Sequence, residues 1–204
     1  MMQINKWDDT HRPWPLPHLP WGMHQTWSQL LFIHYEIRYD ILREHVPRDF
    51  TLDSFEGKYY IAVVPFQMSN VHLRYLPAIP TTETFPELNV RTYVIVDGKP
   101  GVYFFSLDAA SLLAVRSARS FFHLPYYHAE MRLNTSEHWI EFKSIRKENR
   151  DVKLHCKYRP ISAPYTAQKG TLEYWMVERY CLYTQNIFGT IVRCDILHMP
   201  WSIQ

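Results

Sequence analysis

The segment 85–96 places four side chains of different chemistry at alternate positions. Glu87, Asn89, Arg91 and Tyr93 supply a carboxyl group, an amide, a guanidinium group and a phenol. In an extended strand these residues share one face, because successive side chains point to opposite sides. A guanidinium group can bind a carboxylate through two hydrogen bonds, and a carboxyl group can transfer protons. The pattern indicates a wall that can bind and act on a small carboxylate.

The next segment indicates which environment this polar face meets. Asp97-Gly98 is a typical hairpin turn, and the residues from Val102 to Leu107 are largely apolar at both odd and even positions. A strand with one solvent-exposed face would alternate between apolar and polar residues. We therefore predict that neither face of the hairpin is fully exposed and that the polar face lines a cavity. A polar face open to solvent is the alternative.

A second inward charge is predicted on the segment Ala109–Phe122, which has the pattern of a helix with Asp108 as its N-cap. Its apolar stripe consists of Leu112, Val115, Arg119 and Phe122. A charge on that stripe needs a partner, because an unpaired buried charge costs several kcal/mol. Two interpretations of Arg119 remain open: an ion pair with Asp108, Glu87 or Glu178, or contact with a ligand.

Other chemistries require spacings that this chain lacks. Its eleven histidines form no HxH or HxxxH pair and its three cysteines form no CxxC pair, so we predict no metal site. There is no GxSxG motif, and the six glycines form no phosphate-binding loop or dinucleotide fingerprint. No cofactor is expected.

Composition favours one globular domain. Of 204 residues, 47% are hydrophobic and 21% are charged, and the net charge is +2, which gives no basic surface for nucleic acid. The first ten residues lack the apolar region of a signal peptide, and no apolar run approaches the ~20 residues of a membrane span. Widely spaced cysteines suit reduced thiols. We expect a cytoplasmic protein with neither a membrane nor a nucleic-acid partner.

Periodicity and proline content divide the chain into an extended segment, residues 1–22, and a single domain, residues 23–204. Predicted strands cover 26–39, 59–66, 88–96, 102–107, 126–133, 138–145, 152–158, 178–184 and 190–198. Short helices are predicted at 40–45, with Asp40 as the N-cap, and at 172–177. Residues 71–86 contain three prolines and are expected to form a long loop. About nine strands joined mostly as hairpins favour an antiparallel, closed or nearly closed sheet.

Three patches resemble the acetoacetate decarboxylases, in the same order along the chain. Residues 35–53 resemble their strand-helix entrance segment, and Glu87 lies where these enzymes have an active-site glutamate. Arg119 followed by Pro125-Tyr126-Tyr127 resembles the helix and loop that carry their Schiff-base lysine. Tyr126 and Tyr127 stand in place of two lysines, and a phenol cannot form an imine. The resemblance therefore implies the fold without its imine chemistry.

Over residues 20–203 the chain is also similar to the YqjF-like family of bacterial proteins. The matching features are Trp27, the run from Phe85 to Val94, the run Gly101–Asp108, Leu124-Pro125-Tyr126, Glu178-Arg179-Tyr180 and His198 with Trp201. This resemblance implies an α+β, mainly β fold, a cone-shaped antiparallel β-barrel or sheet with a few flanking helices and a central cavity. It implies no particular reaction.

Three functions remain open. The first is an enzyme that acts on a small carboxylate or oxo-acid without an imine: Arg91 or Arg119 holds the carboxylate, Glu87 moves a proton and Tyr126 polarises an oxygen. The second is a non-catalytic protein that binds or senses a small molecule in the same cavity. The third is a scaffold whose pocket is filled by aromatic side chains. The further predicted ligand contacts are Asn89, Tyr93 and Tyr127.

A lysine from another strand would restore imine chemistry. Lys143 and Lys153 lie on predicted strands, but nothing in the sequence around either indicates the desolvation that would lower its pKa. We therefore do not expect either to act as an imine-forming residue.

Overall fold

The computed structural model describes residues 8–75, 84–112, 115 and 123–204. The strands are β1 Met23–Ser28, β2 Ile33–Ile37, β3 Thr51–Leu52, β4 Tyr59–Leu73, β5 Thr84–Val96, β6 Lys99–Ala109, β7 Tyr126–Ser136, β8 Trp139–Arg146, β9 Lys153–Tyr158, β10 Tyr165–Thr166, β11 Cys181–Gln185, β12 Ile191–Asp195 and β13 Ser202–Ile203. Two described helices accompany them: α1 Tyr39–His45 and α2 Leu172–Val177. The fold is α+β and mainly β, as predicted.

Eleven strands form one sheet with the order β1-β4-β5-β6-β7-β8-β9, to which β2, β3, β11 and β12 are attached. The sheet is mixed, because β6 pairs in parallel with both β7 and β11. The prediction of an antiparallel sheet with strands joined mostly as hairpins does not extend to these two pairs, whereas β4, β5 and β6 and then β7, β8 and β9 are successive antiparallel neighbours. The two ends of the sheet approach each other at one contact, where the Tyr158 hydroxyl of β9 donates to the carbonyl of Gln29, the residue after β1, at 2.5 Å, but β1 and β9 do not pair among the described strands.

The hairpin of β5 and β6 is confirmed. Asp97 and Gly98 both have positive φ, 50° and 71°, as a tight two-residue turn requires. The pairing shifts by one residue between Val90 and Arg91, where β6 carries the extra residue. The alternation of β5 is therefore unbroken, and its polar residues at 87, 89, 91 and 93 stay on one face.

Both faces of this hairpin are covered. One face contributes Tyr93, Phe104 and Leu107 to a large inner cluster that also includes Val64 and Phe66. The other face contributes Val94, Tyr103 and Phe105 to an outer cluster. This cluster also includes Leu42, which lies on α1, and Phe50. The burial of both faces confirms that neither face of the hairpin is exposed to solvent; that the polar face lines a cavity stays a prediction.

The predicted strand 26–39 was wrong in extent. Residues 29–32 separate β1 from β2, and α1 already begins at Tyr39. Tyr35, although it alternates with polar neighbours at 34 and 36, is 56% exposed. His34 faces inward instead, because it pairs with Ala62, a member of the inner cluster. The polar residue is thus the internal one.

Three other expectations are corrected. The N-cap of α1 is Arg38, which makes no side-chain capping bond, and Asp40 in the first turn accepts a hydrogen bond from it. Asp108 lies inside β6 rather than at a helix N-terminus. The expected loop 71–86 is shorter, since β4 continues to Leu73 and β5 begins at Thr84.

Of the predicted helix 109–122, only Leu112 and Val115 are described as helical, and Arg119 lies outside the described residues.

The described part of the N-terminal segment packs against the C-terminal strands. Arg12 is buried, donates to the Tyr180 carbonyl at 3.2 Å and pairs with Asp195 at 3.4 Å. The Trp14 indole also donates to Asp195, whereas Trp21 is 53% exposed. The division into segment 1–22 and domain 23–204 stays a prediction.

Candidate functional site

A row of polar side chains on β5 crosses the inner cluster. Glu87, Asn89 and Arg91 are between 1% and 5% exposed. Their cross-strand partners are Phe66, Val64 and Ala62 on β4 and Ala109, Leu107 and Phe104 on β6. All six partners belong to the inner cluster. We call Glu87, Asn89, Arg91 and Tyr93 the β5 row; its apolar surroundings strengthen every electrostatic interaction that it makes.

The carboxyl group of Glu87 lies at one end of this row. The Tyr126 hydroxyl donates to both of its oxygens, at 3.2 and 3.3 Å. Burial, reinforced by the nearby Asp108 carboxylate and partly offset by that hydroxyl, raises the pKa of Glu87 to about 8. Burial and the neighbouring Glu87 also raise the pKa of Tyr126. Glu87 is therefore largely protonated at neutral pH, in reach of a phenol that also stays protonated.

Asp108, the cross-strand partner of Leu88, forms an ion pair with Arg146 of β8. Arg146 contacts both of its oxygens, with Nη2 at 2.6 Å from Oδ1 and Nε at 3.2 Å from Oδ2. The same guanidinium group lies 3.8 Å from the ring centroid of Tyr127. Burial nevertheless raises the pKa of Asp108, against the opposing effect of Arg146. Tyr127 was predicted to contact a ligand; the structure places it against Arg146.

Arg91 lies at the other end of the row. Its guanidinium carbon is 5.6 Å from the Phe32 ring centroid, and the side chain hydrogen-bonds to Tyr93. Its Nε, like the Oδ1 of Asn89, is buried and has no hydrogen-bond partner among the described residues. No described carboxylate pairs with Arg91, whereas the other buried arginines, Arg12 and Arg179, each have an aspartate. Arg91 is thus a buried charge without a counter-ion in the described part of the chain.

His34 is a site residue that the sequence analysis missed. Its Nε2 lies 2.7 Å from the Tyr93 hydroxyl. Burial and the neighbouring Arg91 lower the pKa of His34 to about 4, so the neutral ring accepts the phenol proton in a hydrogen bond. The sequence offers one signal for this residue: Phe32 and His34 are two positions apart and share one face of an extended strand. If Tyr35 faces solvent, both of them face the interior.

Arg179 was also missed, because only its distant contacts reveal it. It pairs with Asp53 at 2.6 Å, 126 positions away in the chain. Its guanidinium carbon lies 4.7 Å from the Tyr93 ring centroid and 4.3 Å from that of Trp175. Tyr93 thus contacts Arg179 and Trp175 through its ring and His34 through its hydroxyl.

The Glu87 end approaches the surface. A depression of about 400 Å³ is lined by His123, Leu124, Pro125, Tyr126, Tyr127, Gln185, Asn186 and Ile187. Tyr126 is one of these lining residues, and its hydroxyl donates to Glu87. Tyr126 therefore belongs both to the lining of the depression and to the surroundings of the β5 row.

Neither lysine considered for imine formation lies near this row. Lys143 has a side chain 49% exposed and pairs with Glu141 at 2.9 Å, and Lys153 is exposed. Within the described ranges, no group of His, Cys, Asp or Glu side chains is arranged to hold a metal ion. In those same ranges, no helix is long and apolar enough to cross a membrane.

Solved structures define the class of fold. Acetoacetate decarboxylase from Legionella pneumophila superimposes with a TM-score of 0.60 at 15% identity, covering 90% of this chain and 70% of that one. The enduracididine biosynthesis enzyme MppR complexed with pyruvate gives 0.57 at 12% identity, covering 86% and 67%. The chain therefore has an acetoacetate-decarboxylase-like fold.

The sequence identifies the family. Residues 24–204 match the model of DUF2071, described as an uncharacterized conserved protein, and the chain belongs to this family. It is 48% identical over 184 residues to the uncharacterized protein YqjF of Bacillus subtilis (strain 168), covering 90% of this chain and 76% of that protein. The resemblance stated from the sequence is confirmed.

Proposed function

We propose that the β5 row binds a small carboxylate that also carries a carbonyl oxygen, and that Glu87 acts on this oxygen as an acid. Arg91 holds the carboxylate, and Tyr126 assists Glu87. No lysine takes part. The protein is thus proposed to be an enzyme for an oxo-acid or a related small molecule, working without a covalent imine.

The observation that carries the proposal is that Arg91 has no counter-ion among the described residues. A buried guanidinium group cannot lose its proton at accessible pH, and leaving it unpaired costs several kcal/mol. A bound carboxylate would offset that cost and use the free Nε. One structural neighbour, MppR, is complexed with pyruvate, which supports a carboxylate as the ligand class for this fold.

The role of Glu87 as an acid follows from its protonation state at neutral pH. A carboxyl group with a pKa of about 8 is protonated at neutral pH and can donate to a carbonyl oxygen. If the proton passes to the substrate oxygen, the remaining carboxylate keeps the hydrogen bond from the Tyr126 hydroxyl. The proton returns to Glu87 when the substrate oxygen gives it up, so the enzyme ends in its starting state.

The first experiment is thermal unfolding of the protein with a panel of oxo-acids, hydroxy-acids and simple carboxylates. A ligand at 100 times its dissociation constant adds about 2.7 kcal/mol of stability. We expect a shift that Arg91→Met abolishes and that Lys58→Met, a surface control 56% exposed, retains. No shift with any compound would reject the proposal.

A non-catalytic binding protein is the second candidate, and Glu87→Gln separates the two. For an enzyme this change abolishes turnover of the compound that binds and leaves its affinity within a few-fold, because glutamine is nearly isosteric. For a binding protein, the wild type also shows no turnover. Borohydride reduction in the presence of the bound oxo-acid should leave the protein mass unchanged; an added mass equal to the reduced adduct would restore the imine mechanism.

The third candidate, a filled scaffold, has an observation in its favour. Trp27 packs on Phe66 with ring centroids 4.7 Å apart and on Trp201 at 6.1 Å, so aromatic rings occupy much of the inner cluster. A scaffold of this kind binds none of the panel, and its Arg91→Met variant is as stable as the wild type or more stable.

A further inference from the structure

We propose that two copies of this chain associate through the free edge of β12. The two strands run antiparallel about a two-fold axis, so that the sheet continues from one copy into the other. This interface does not depend on the proposed ligand. Three features of β12 support it: outward backbone groups, charges that complement each other across the axis, and exposed apolar side chains nearby.

The strand β12 lies at an edge of the sheet, since β11 is its only partner among the described strands. Backbone hydrogen bonds directly beyond the two ends of this pair engage Thr190 and Ile196, both at even positions. Hydrogen-bonded and non-hydrogen-bonded residues alternate along an antiparallel pair. The N–H and C=O groups of Ile191, Arg193 and Asp195 therefore point away from β11, where a further strand can pair with them.

The strands at the two ends of the main strand order differ from β12. The strand β9 has exposed basic side chains at alternate positions, Lys153, His155 and Lys157, and β1 is interrupted by a register shift. Charged or irregular edges discourage pairing with another sheet. In contrast, β12 is regularly paired, and its one cation, Arg193, donates to Asp195 on the same strand at 2.9 Å.

Charge selects the register of the two β12 strands. Registers that use the outward backbone groups can place Arg193 opposite Ile191, opposite its own equivalent, or opposite Asp195 of the second copy. The first forms no ion pair, the second sets like charges directly across from each other, and the third sets opposite charges at two symmetric positions. Asp195 is also bound by Arg12 at 3.4 Å, which holds its carboxylate in place. The third register is therefore favoured, and it brings Cys194 opposite its own equivalent on the axis.

Four large apolar side chains near this edge are exposed: Ile187 by 82%, Phe188 by 84%, Val192 by 39% and Met199 by 54%. The first two lie in the turn before β12, and the last follows the strand. Antiparallel pairing brings the turn of one copy toward the residues that follow β12 in the other. Burial of these side chains between the copies removes apolar surface from water and adds to the backbone hydrogen bonds.

Cys194 reports on this register. It is a free, exposed cysteine, and its backbone groups face β11, so across the axis it forms a non-hydrogen-bonded pair with its equivalent. The Cα atoms of such a pair are about 4.5 Å apart, within the roughly 4.4–6.8 Å that a disulfide spans. Diamide accepts the two protons and two electrons that the thiols lose and becomes a hydrazine. The disulfide that forms joins the two copies at this position.

Sedimentation equilibrium over about a hundredfold range of protein concentration tests the association itself. We expect the wild-type protein to reach twice the mass of one chain. Arg193→Glu sets like charges opposite each other at both symmetric positions and should raise the dissociation constant of the dimer at least about tenfold. Lys157→Glu, a charge reversal on the edge strand β9, is the matched control and should leave that constant unchanged.

Arg193→Pro tests the backbone hydrogen bonds. The N–H group of Arg193 points away from β11, so proline removes a donor from the free edge and no hydrogen bond within the monomer. We expect a monomer whose circular dichroism matches that of the wild-type protein. If this variant fails to fold, Arg193→Glu and the cross-linking of the wild type still decide the question.

Diamide treatment tests the register. The wild-type protein should form a covalent dimer, and Cys194→Ser should form none. Added to Cys194→Ser, the change Val192→Cys should not restore the cross-link, because position 192 faces position 196 of the second copy. The change Lys157→Cys in the same background measures cross-linking by random collision.

Three outcomes count against the interface. Sedimentation as a monomer over the whole concentration range overturns the proposal. A dimer that is unaffected by Arg193→Glu and does not cross-link at Cys194 overturns it as well, and so does cross-linking at Lys157→Cys as fast as at Cys194. Faster cross-linking at Val192→Cys than at Cys194 overturns the register. None of these results bears on ligand binding, so the proposed function is tested separately.

Discussion

The protonated state of Glu87 predicts the direction in which the stability of the protein changes with pH. Glutamine resembles a protonated glutamate in size and hydrogen bonding but cannot ionise. The folded protein holds the Glu87 proton up to a pKa of about 8, against 4.5 as the ordinary value. Between these two values the folded state binds more protons than the unfolded state, so Glu87 costs increasing stability as the pH rises. Glu87→Gln removes this dependence.

The size of the effect follows from the same numbers. At about 1.4 kcal/mol per pKa unit, the change from 4.5 to about 8 corresponds to roughly 5 kcal/mol, reached only above pH 8. We treat this as an upper limit, since relaxation and water entry reduce it. At pH 5 the variant and the wild type should differ by no more than about 1 kcal/mol. At pH 9 the variant should be the more stable protein by several kcal/mol.

Urea unfolding at one-unit steps from pH 5 to pH 9 measures this difference directly. Glu36→Gln is the matched control, because Glu36 has a side chain 56% exposed and pairs with Lys58 at the surface. Its curve should run parallel to that of the wild type. All other titrating groups are common to the three proteins and cancel in the comparison. A difference between Glu87→Gln and the wild type that stays constant over this range would refute the raised pKa and, with it, the acid role.

Three further perturbations test other parts of the site. Stability should fall as the pH drops from 6.5 toward 4, because the unfolded state protonates this histidine in that range whereas folded His34 stays neutral; His34→Gln should flatten the plot of unfolding free energy against pH, measured by urea unfolding, and an unchanged slope of that plot would contradict the buried neutral ring. Gly101→Ala should cost about 1–3 kcal/mol in the same assay, since a Cβ would lie 2.6 Å from Tyr183; a neutral result would contradict the close contact of β6 and β11. Arg146→Met should cost about 3–5 kcal/mol by leaving Asp108 buried and unpaired, and the added change Asp108→Asn should recover most of that loss; equal losses in the single and double variants would show that the ion pair is not the cause.

Local patterns predicted much of the fold and part of the site. The hairpin at Asp97-Gly98 and the helix 172–177 depend on turn and capping chemistry between near neighbours, such as the Thr171 side chain that accepts from the Tyr174 amide. Strands β7, β8 and β9 were also located to within a few residues. Glu87 and Tyr126 were predicted as partners in chemistry, and the structure brings them into hydrogen-bond contact.

The errors share a physical origin. Asp108 follows an apolar run and precedes a helical pattern, so by local rules it is an N-cap. Its actual role depends on Arg146, which only the packing of β8 brings to it. His34 alternates with the apolar residues Ile33, Tyr35 and Ile37, so the pattern alone favours it outside, and the pairing of β2 with β4 decided that its side faces inward. Sequence alternation specifies two faces without saying which is internal.

The sequence by itself determined the chemistry that this protein can and cannot use. Tyrosines at 126 and 127 exclude an imine at that loop, and the alternation of β5 puts a carboxyl, an amide, a guanidinium group and a phenol on one face. Only the tertiary structure decided which of these groups are protonated and which have an ion-pair partner. Burial among Phe66, Leu107 and their neighbours keeps Glu87 protonated, and the assignment of Asp53 to Arg179 leaves Arg91 without a described counter-ion. These properties depend on desolvation and on contacts between residues far apart in the chain, which no local pattern contains.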